Sequence, residues 1–261
     1  MQSLMTLFEW QALLLGLIVG SFANVCIYRL PRHESLVWPG SRCPACGAPI
    51  SALDNIPVLS WLFLRGRCRR CRAPISIRYP IVEAANGVLW LGLATSLGAT
   101  PRAMVLMLFS TSALVLGLID LEHQLLLDVI TLPGTLVGLC ASFLPDSPLS
   151  PVGSFLAAAG GFVALTSLNA IYKAVRGRDG FGGGDPKMVA MIGAFLGWQG
   201  TILTVLLASL AGTLVGVVLI LARGKTAQHK LPLGTFLAGG AIAVLFVGDA
   251  IALWYRGFLR G

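Results

Sequence analysis

Long uncharged stretches alternate with short charged segments along this chain. A bilayer crossing needs about 20 residues, with a range of roughly 17–25, and six uncharged stretches are long enough. They are residues 10–28, 84–101, 103–119, 129–145, 147–172 and 231–248. A seventh stretch, 188–222, is too long for one crossing and contains "GWQG" at 197–200, which predicts two helices in a hairpin. The pattern predicts an all-α polytopic membrane protein with about eight transmembrane helices.

The composition agrees with a membrane location. Of the 261 residues, 56% are hydrophobic and 11% are charged, whereas soluble domains carry about 25% charged residues. The formal net charge of +8 would suit nucleic-acid binding. In a membrane protein, however, basic residues mostly report orientation. We therefore expect the lipid bilayer as a partner and no nucleic acid.

The basic residues predict which loops face the cytoplasm. With eight crossings, loops 28–80, 173–187 and 223–230 share one side and hold 16 lysine and arginine residues, against three on the other side. Basic loops remain cytoplasmic, so these three loops are predicted to lie in the cytoplasm. If residues 188–197 did not cross, the split would be 15 to 4. The distribution of basic residues therefore does not decide whether residues 188–197 cross the membrane.

A small cytoplasmic module is predicted between the first and second transmembrane helices. The predicted organisation is a first helix at 1–27, the module at 28–80 and a membrane-embedded domain at 81–261. The module contains "CPAC" and "CRRC", whose 21-residue separation resembles a zinc ribbon. A segment this small buries too little apolar surface to fold alone. We expect a structural zinc ion with all four positions filled by cysteine, namely Cys43, Cys46, Cys68 and Cys71.

Two other uses of these cysteines remain open from the sequence. They are a pair of disulfides and a pair of redox-active dithiols. A cytoplasmic location disfavours stable disulfides, and no βαβ pattern surrounds either pair, as a thioredoxin-like motif would require. The nine basic residues of the module are all arginine. They are interpreted as a solvated, orienting surface that can also contact anionic lipid head groups.

Two aspartates lie at the ends of apolar runs, where burial of a charged carboxylate is energetically unfavourable. Asp120 ends the apolar run "LVLGLID", and Asp185 begins "DPKMVAMIGAF". Two predicted crossings separate them, so both are expected at the cytoplasmic membrane face. Two close carboxylates cannot both ionise easily and would share a proton. One would then activate water while the other donates a proton to a scissile carbonyl.

The glycines before Asp185 fit a site that a substrate approaches closely. Gly182, Gly183 and Gly184 are expected to adopt positive φ and to let the backbone pass near a substrate chain. A phosphate-binding loop is excluded, because no Lys-Ser/Thr pair follows. Two alternatives remain: a transporter that uses the paired acids for a proton or a metal ion, and a zinc-bearing assembly scaffold.

Long motifs throughout the chain resemble the type IV prepilin peptidases, which are membrane aspartyl proteases of the G-x-G-D type. These motifs are "GSFANVCIYRLP" at 20–31, the two C-x-x-C pairs, "NIPVLSWLFLRGRC" at 55–68, "ISIRYPIVE" at 75–83, "LIDLEHQLLLD" at 118–128, "GGGDPK" at 182–187 and "LPLGTFLA" at 231–238. The family usually has proline before the second acid of the fifth motif, where this chain has Leu127. The missing proline removes a helix stop.

The resemblance implies an enzyme of the bacterial inner membrane with Asp120 and Asp185 as its catalytic pair. Its substrates would be type IV prepilins or pseudopilins, cut between a basic leader and an apolar helix at the cytoplasmic face. The new N-terminus would be methylated from S-adenosylmethionine, for which the sequence shows no binding fingerprint. Asp128 and Lys187 are expected to support the site. Glu83, Glu122 and Asp128 are expected to attract the basic leader.

Overall fold

The computed structural model describes residues 6–223 and 231–258 and contains no strand within them. Each predicted charge-free stretch forms helix, because a backbone surrounded by lipid must satisfy its hydrogen bonds internally. The described helices are α1 Leu7–Arg29, α2 Leu59–Phe63, α3 Arg78–Leu97, α4 Pro101–His123, α5 Asp128–Ala141, α6 Pro151–Arg176, α7 Asp185–Arg223 and α8 Leu233–Phe258. The predicted all-α class is therefore confirmed.

The helix ends follow local sequence signals. Thr6 and Glu9 form a capping box at the start of α1, in which each side chain bonds the other residue's backbone N–H. Ser150 caps α6, Pro151 occupies its first position, and Gly177 ends it in the left-handed conformation. Between α4 and α5 the family's usual proline is missing. The chain turns there because Gln124 adopts φ 53° directly after α4.

The chain divides into two compact units, Met1–Ala103 and Met104–Gly261, called here the N-terminal and C-terminal units. In the N-terminal unit, α1 packs along α3 through small residues. A Cβ atom at Gly16 would lie 2.9 Å from Cβ of Trp90, and one at Gly20 would lie 2.8 Å from Cα of Glu83. Asn86 donates to the carbonyl oxygen of Gly16 at 2.7 Å. The sequence prediction grouped most of α3 with the membrane-embedded domain 81–261. In the structure α3 packs on α1 within the N-terminal unit.

The C-terminal unit surrounds the first part of α7 with other helices. Its core contains Met188, Met191 and Ile192 from α7, and the ring of Phe109 stacks on that of Phe195 with centroids 4.4 Å apart. Glycines allow close approach along α6, since a Cβ atom at Gly193 would lie 2.6 Å from the carbonyl oxygen of Ala157. The start of α7 is therefore held rigidly inside the unit.

Helix α7 folds back on itself at Gly197, whose φ of 68° and ψ of −177° are not helical. Contacts with the neighbouring segments show that the chain reverses its direction there. Gly184 and Gly234 both pack on Leu126, so the starts of α7 and α8 lie at one level, and Gly216 near the end of α7 packs on Leu231. The chain thus leaves this level along residues 185–196 and returns along 198–223. The predicted hairpin at "GWQG" is confirmed.

Five helices of the described chain are long and apolar enough to cross a membrane: α1 with its following turn, α3, α4, α6 and α7. Two more apolar helices are shorter, Asp128–Ala141 and the segment Leu233–Gly248 of α8. Residues 185–196 of α7 are about 18 Å long at 1.5 Å per residue, less than the hydrocarbon core. Of the predicted basic loop 223–230, residues 224–230 lie outside the described residues.

Candidate active site

Asp120 lies one turn before the end of α4 and is 5% exposed. Its Oδ2 accepts a hydrogen bond from the backbone N–H of Thr235 at 2.8 Å and lies 3.2 Å from the Thr235 hydroxyl. Thr235 belongs to the first turn of α8, where the N–H groups have no partner within their own helix. The carboxylate of Asp120 therefore caps α8 from another helix, which is a favourable place for a negative charge.

Asp185 is the first residue of α7 and is also 5% exposed. Gly184, directly before Asp185, and Gly234, which contacts Asp120, both pack on Leu126, so the two carboxylates lie at the same end of the unit. The backbone N–H of Asp185 donates to the carbonyl oxygen of Gly182 at 3.2 Å, and that of Met188 donates to Gly184 at 3.0 Å. The glycine-rich segment thus forms the turn that starts α7 and aims its first carboxylate at the end of α4.

Leu126, in the short loop between α4 and α5, packs against both segments that carry the site. A Cβ atom at Gly184 would lie 2.6 Å from Cβ of Leu126, and one at Gly234 would lie 2.7 Å from its Cδ2 and 3.0 Å from Cγ of Asp120. These two glycines are required for close packing. The expectation of positive φ at Gly182, Gly183 and Gly184 is wrong, since the described positive-φ glycines lie elsewhere.

Asp128 and Lys187 meet at the edge of the site. The ammonium group of Lys187 donates to both carboxylate oxygens of Asp128, at 2.8 and 2.6 Å. Asp128 is the first residue of α5 and Lys187 lies in the first turn of α7. The ion pair therefore joins the starts of two helices, and it is partly exposed.

Asn169 binds the backbone just before the glycine-rich segment and so fixes its position. Its side-chain oxygen accepts the backbone N–H of Gly180 at 2.8 Å, and its amide nitrogen lies 3.3 Å from Asp179, which also pairs with Lys173. No sequence pattern pointed to Asn169, Thr235 or Leu126 as neighbours of the two aspartates or of the glycine-rich segment. One sequence feature did mark the region of Thr235. In the motif "LPLGTFLA" it follows Pro232 and Gly234, two residue types that are common in turns and at helix starts.

Glu83 has a different setting from the one expected for a residue that attracts substrate. It belongs to the N-terminal unit, is 8% exposed, and accepts the backbone N–H of Val58 at 2.7 Å. Val58 has φ 61° just before α2, a conformation that a β-branched residue seldom adopts. Glu83 therefore anchors a strained turn of the cysteine module on α3.

The four cysteines come together as the spacing predicted. All four sulfur atoms lie within 4.8 Å of one another, and those of Cys43 and Cys71 are 3.8 Å apart. Four sulfurs each bound about 2.3 Å from zinc lie about 3.8 Å apart at the corners of a tetrahedron. Backbone N–H groups of Cys46 and Ala45 lower the pKa of the Cys43 thiol to about 6, whereas burial and the neighbouring sulfurs raise the pKa of the Cys71 thiol to about 11. Metal binding requires the thiolate of each cysteine. The residues fit a tetrahedral metal ion.

The two halves of this cluster are structural repeats. "RCPACGAPIS" at 42–51 and "RCRRCRAPIS" at 67–76 each form a turn closed by one isolated β-bridge, between an arginine and a proline. In each half the carbonyl oxygen of the first cysteine accepts the backbone N–H four residues later, and its own N–H donates to the carbonyl oxygen of the alanine five residues later. Gly47 in the first half and Arg72 in the second occupy the same position, with φ 67° and 61°.

The C-terminal unit thus presents two buried carboxylates at the ends of different helices, with charges close enough to interact and a glycine-rich turn beside one of them. Paired carboxylates of this kind can share one proton and activate water for hydrolysis without a metal ion. Asp120 and Asp185 are 65 positions apart in the sequence. Helix α7 packs among α4, α5 and α8, and this packing brings the two acids to the same end of the unit.

Comparison with known proteins agrees with this arrangement. Residues 14–97 match the family model of the bacterial peptidase A24 N-terminal domain, and residues 106–217 match that of the type IV leader peptidase family. These ranges fall within the N-terminal and C-terminal units respectively. No solved structure matches the chain.

Curated relatives align over almost the whole chain. A Pseudomonas putida protein described as a prepilin leader peptidase/N-methyltransferase is 41% identical, over 92% of this chain and 91% of its own. Proteins with the same description from Aeromonas hydrophila and Burkholderia pseudomallei (strain K96243) are 39% and 36% identical. These alignments cover 93% and 94% of this chain, and 91% and 87% of the relatives. The chain therefore belongs to the type IV leader peptidase family.

Proposed function

We propose that this protein is a prepilin leader peptidase that cuts type IV prepilins or pseudopilins with Asp120 and Asp185, and that it also methylates the new N-terminus. The observation that carries the peptidase activity is the pair of buried carboxylates whose charges interact. A bilayer makes isolated acids costly, so two that meet point to a chemical use. Membership of a peptidase family favours hydrolysis over the transporter and scaffold alternatives.

The direct test is incubation of the purified protein with a prepilin and S-adenosylmethionine, followed by mass spectrometry of the products. Loss of the leader and a gain of one methyl group on the mature N-terminus are expected. A prepilin that remains intact, with a protein that is folded and metal-loaded, would contradict the proposal. Comparing a type IV prepilin with a secretion-type pseudopilin then identifies the preferred substrate.

We place the site at the cytoplasmic face of the bacterial inner membrane, in a chain of eight crossings. Seven apolar helices, one of which folds back at Gly197, give eight membrane segments. The fold-back supports this number, because α7 and α8 both start beside Asp120. The 16-to-3 division of basic residues then puts this face in the cytoplasm.

Cysteine labelling tests this topology. In a variant without native cysteines, single cysteines at positions 50 and 148 are treated with a membrane-impermeant maleimide on intact cells. Position 148 should react and position 50 should react only after the membrane is opened. The reverse labelling would invert the topology while leaving the peptidase proposal intact.

We assign a structural zinc ion to Cys43, Cys46, Cys68 and Cys71. Four protein ligands leave the ion no open position for substrate, so its contribution is to stabilise a module with little apolar core. S-adenosylmethionine would supply the methyl group. The methylation proposal rests on the relatives, which are described as N-methyltransferases.

A further inference from the structure

We propose that the first turn of α8, through Thr235, holds Asp120 as the ionised member of the pair, so that Asp120 activates water and Asp185 supplies the proton. This inference rests on the proposed use of Asp120 and Asp185 for cleavage. It adds a positioning residue, Thr235, and a distinct role for each aspartate.

The donors around the two carboxylates are unequal. Asp120 receives the backbone N–H of Thr235 at 2.8 Å and lies 3.2 Å from the Thr235 hydroxyl. Among the described residues, the carboxylate of Asp185 accepts no hydrogen bond as short as these, and its own backbone N–H donates to the carbonyl oxygen of Gly182. Hydrogen bonds donated to a carboxylate favour its charged form. Because two adjacent negative charges repel, Asp120, which receives the stronger hydrogen bonds, keeps the charge and Asp185 keeps the proton.

The Thr235 hydroxyl has a choice of acceptors that suits a carboxylate which gains and loses a proton. Its oxygen lies 2.9 Å from the carbonyl oxygen of Gly117 and 3.2 Å from Oδ2 of Asp120. A hydroxyl carries one hydrogen. It donates that hydrogen to Oδ2 when Asp120 is charged and to Gly117 when Asp120 is protonated. Both arrangements leave the hydroxyl satisfied inside the unit.

The resulting steps are balanced. Water attacks the scissile carbonyl carbon, one water proton moves to Oδ1 of Asp120, and the proton of Asp185 moves to the carbonyl oxygen. The tetrahedral diol then collapses as the carbon–nitrogen bond breaks. The leaving nitrogen takes the proton from Asp120, and a diol hydroxyl returns a proton to Asp185. Both aspartates end in their starting states.

Substitution of Thr235 tests its positioning role. Thr235→Val keeps the shape and the backbone N–H but removes the hydroxyl, whereas Thr235→Ser keeps the hydroxyl. A hydrogen bond to a charged group is among the stronger ones in proteins. We therefore expect kcat for cleavage to fall about ten- to a hundredfold in Thr235→Val, with KM unchanged, and serine to restore most of the rate. Unchanged kcat in Thr235→Val would overturn the role.

A matched control is Thr135→Val, which removes a hydroxyl that bonds the carbonyl oxygen of Thr131 in its own helix at 2.7 Å. Its kcat should stay at the wild-type value. A loss equal to that of Thr235→Val would mean that any partly buried threonine hydroxyl of this unit has this effect, and would overturn the assignment. Methylation of a precleaved substrate should persist in Thr235→Val and shows that the variant is folded.

The roles of the two aspartates are tested by their residual rates. The amide of Asp185→Asn can still donate a hydrogen bond to the carbonyl oxygen, but the amide of Asp120→Asn cannot accept a proton from water. The residual cleavage rate of Asp185→Asn should therefore exceed that of Asp120→Asn by about tenfold or more. Equal rates, or the opposite order, would overturn the assignment of roles. High activity in both variants would instead refute the aspartate pair itself.

Discussion

Lys187 donates to both carboxylate oxygens of Asp128, at 2.8 and 2.6 Å, and so links the start of α7 to the start of α5. Asp185 lies two residues before Lys187 in the same turn. The ion pair therefore fixes the orientation of the turn that carries one catalytic candidate. It also engages the Asp128 carboxylate, so we expect Asp128 to support the site rather than to attract a basic leader.

We expect neutralising this pair to weaken cleavage only modestly. Partly exposed ion pairs contribute about 0.2–1 kcal/mol, so Asp128→Asn and Lys187→Met should each reduce kcat/KM by no more than about fivefold. If the pair acts as a unit, the double variant should be no worse than either single one. The measurement is a double-mutant cycle on the cleavage rate.

Asp54→Asn provides the control for this cycle. It breaks the ion pair with Arg69, which lies 2.6 Å away in the N-terminal unit. This change should leave the cleavage rate constant unaltered. A hundredfold loss in Asp128→Asn would show instead that Asp128 takes part in the chemistry.

Gly183 and Gly184, the two glycines directly before Asp185, should differ sharply in their tolerance of alanine. In Gly184→Ala the new Cβ atom would lie 2.6 Å from Cβ of Leu126 and 3.1 Å from its carbonyl oxygen. Overpacking of this kind typically costs about 1–3 kcal/mol. It would also displace the turn that orients Asp185. We expect Gly184→Ala to lose most of its cleavage activity and some thermal stability.

Gly183→Ala is the matched control, because a Cβ atom at Gly183 has no neighbour within 4 Å among the described residues. Its activity should remain within about twofold of wild type, as for surface substitutions away from special contacts. Equal losses in both variants would mean that substrate, rather than Leu126, fills the space beside the glycines.

The difference between Gly183 and Gly184 also shows where sequence reasoning stops. The charge pattern was enough to find Asp120 and Asp185, because an acid in an apolar run is conspicuous, and cysteine spacing was enough to find the metal cluster. Charge-free stretches likewise gave the helices and the reversal at Gly197. No local pattern identifies Leu126 as the contact of two glycines, or Thr235 as the donor to Asp120. Those roles come from packing between helices far apart in sequence.

The metal site predicts a definite stoichiometry. Purified protein should contain about one zinc ion per chain, as expected for a single four-cysteine site. Cys43→Ser and Cys71→Ser should each lower zinc content and thermal stability together, because metal binding and folding of the module are linked. Cys140→Ser, which changes an exposed cysteine outside the cluster, should keep full zinc content. Undiminished zinc in a variant lacking all four cluster cysteines would exclude the site.

The repeat in the cysteine module allows a second test through backbone strain. Arg72 has φ 61°, and the left-handed conformation costs a non-glycine residue roughly 1–2 kcal/mol. Arg72→Gly should slow zinc loss to a chelator, since it removes that strain from the folded module. Gly47→Ala, at φ 67° in the equivalent position, should speed zinc loss. The opposite order of the two rates would show that the Arg72 side chain stabilises the module more than its conformation costs.

The strongest prediction concerns the aspartate pair itself. Asparagine matches aspartate in size but cannot act as an acid or base near neutral pH, so Asp120→Asn and Asp185→Asn should each reduce cleavage at least about a hundredfold. The losses should not add in the double variant, because the two groups act on one water molecule and one carbonyl.

Each variant should still insert into the membrane and bind zinc, since the cysteine cluster belongs to the N-terminal unit. The measurement is the single-turnover cleavage rate of a prepilin by each zinc-loaded variant. Glu34→Gln, at an exposed position of the N-terminal unit, is the control and should retain cleavage. Near-normal cleavage by either aspartate variant would contradict the shared-proton mechanism and would assign the cleavage chemistry to other residues.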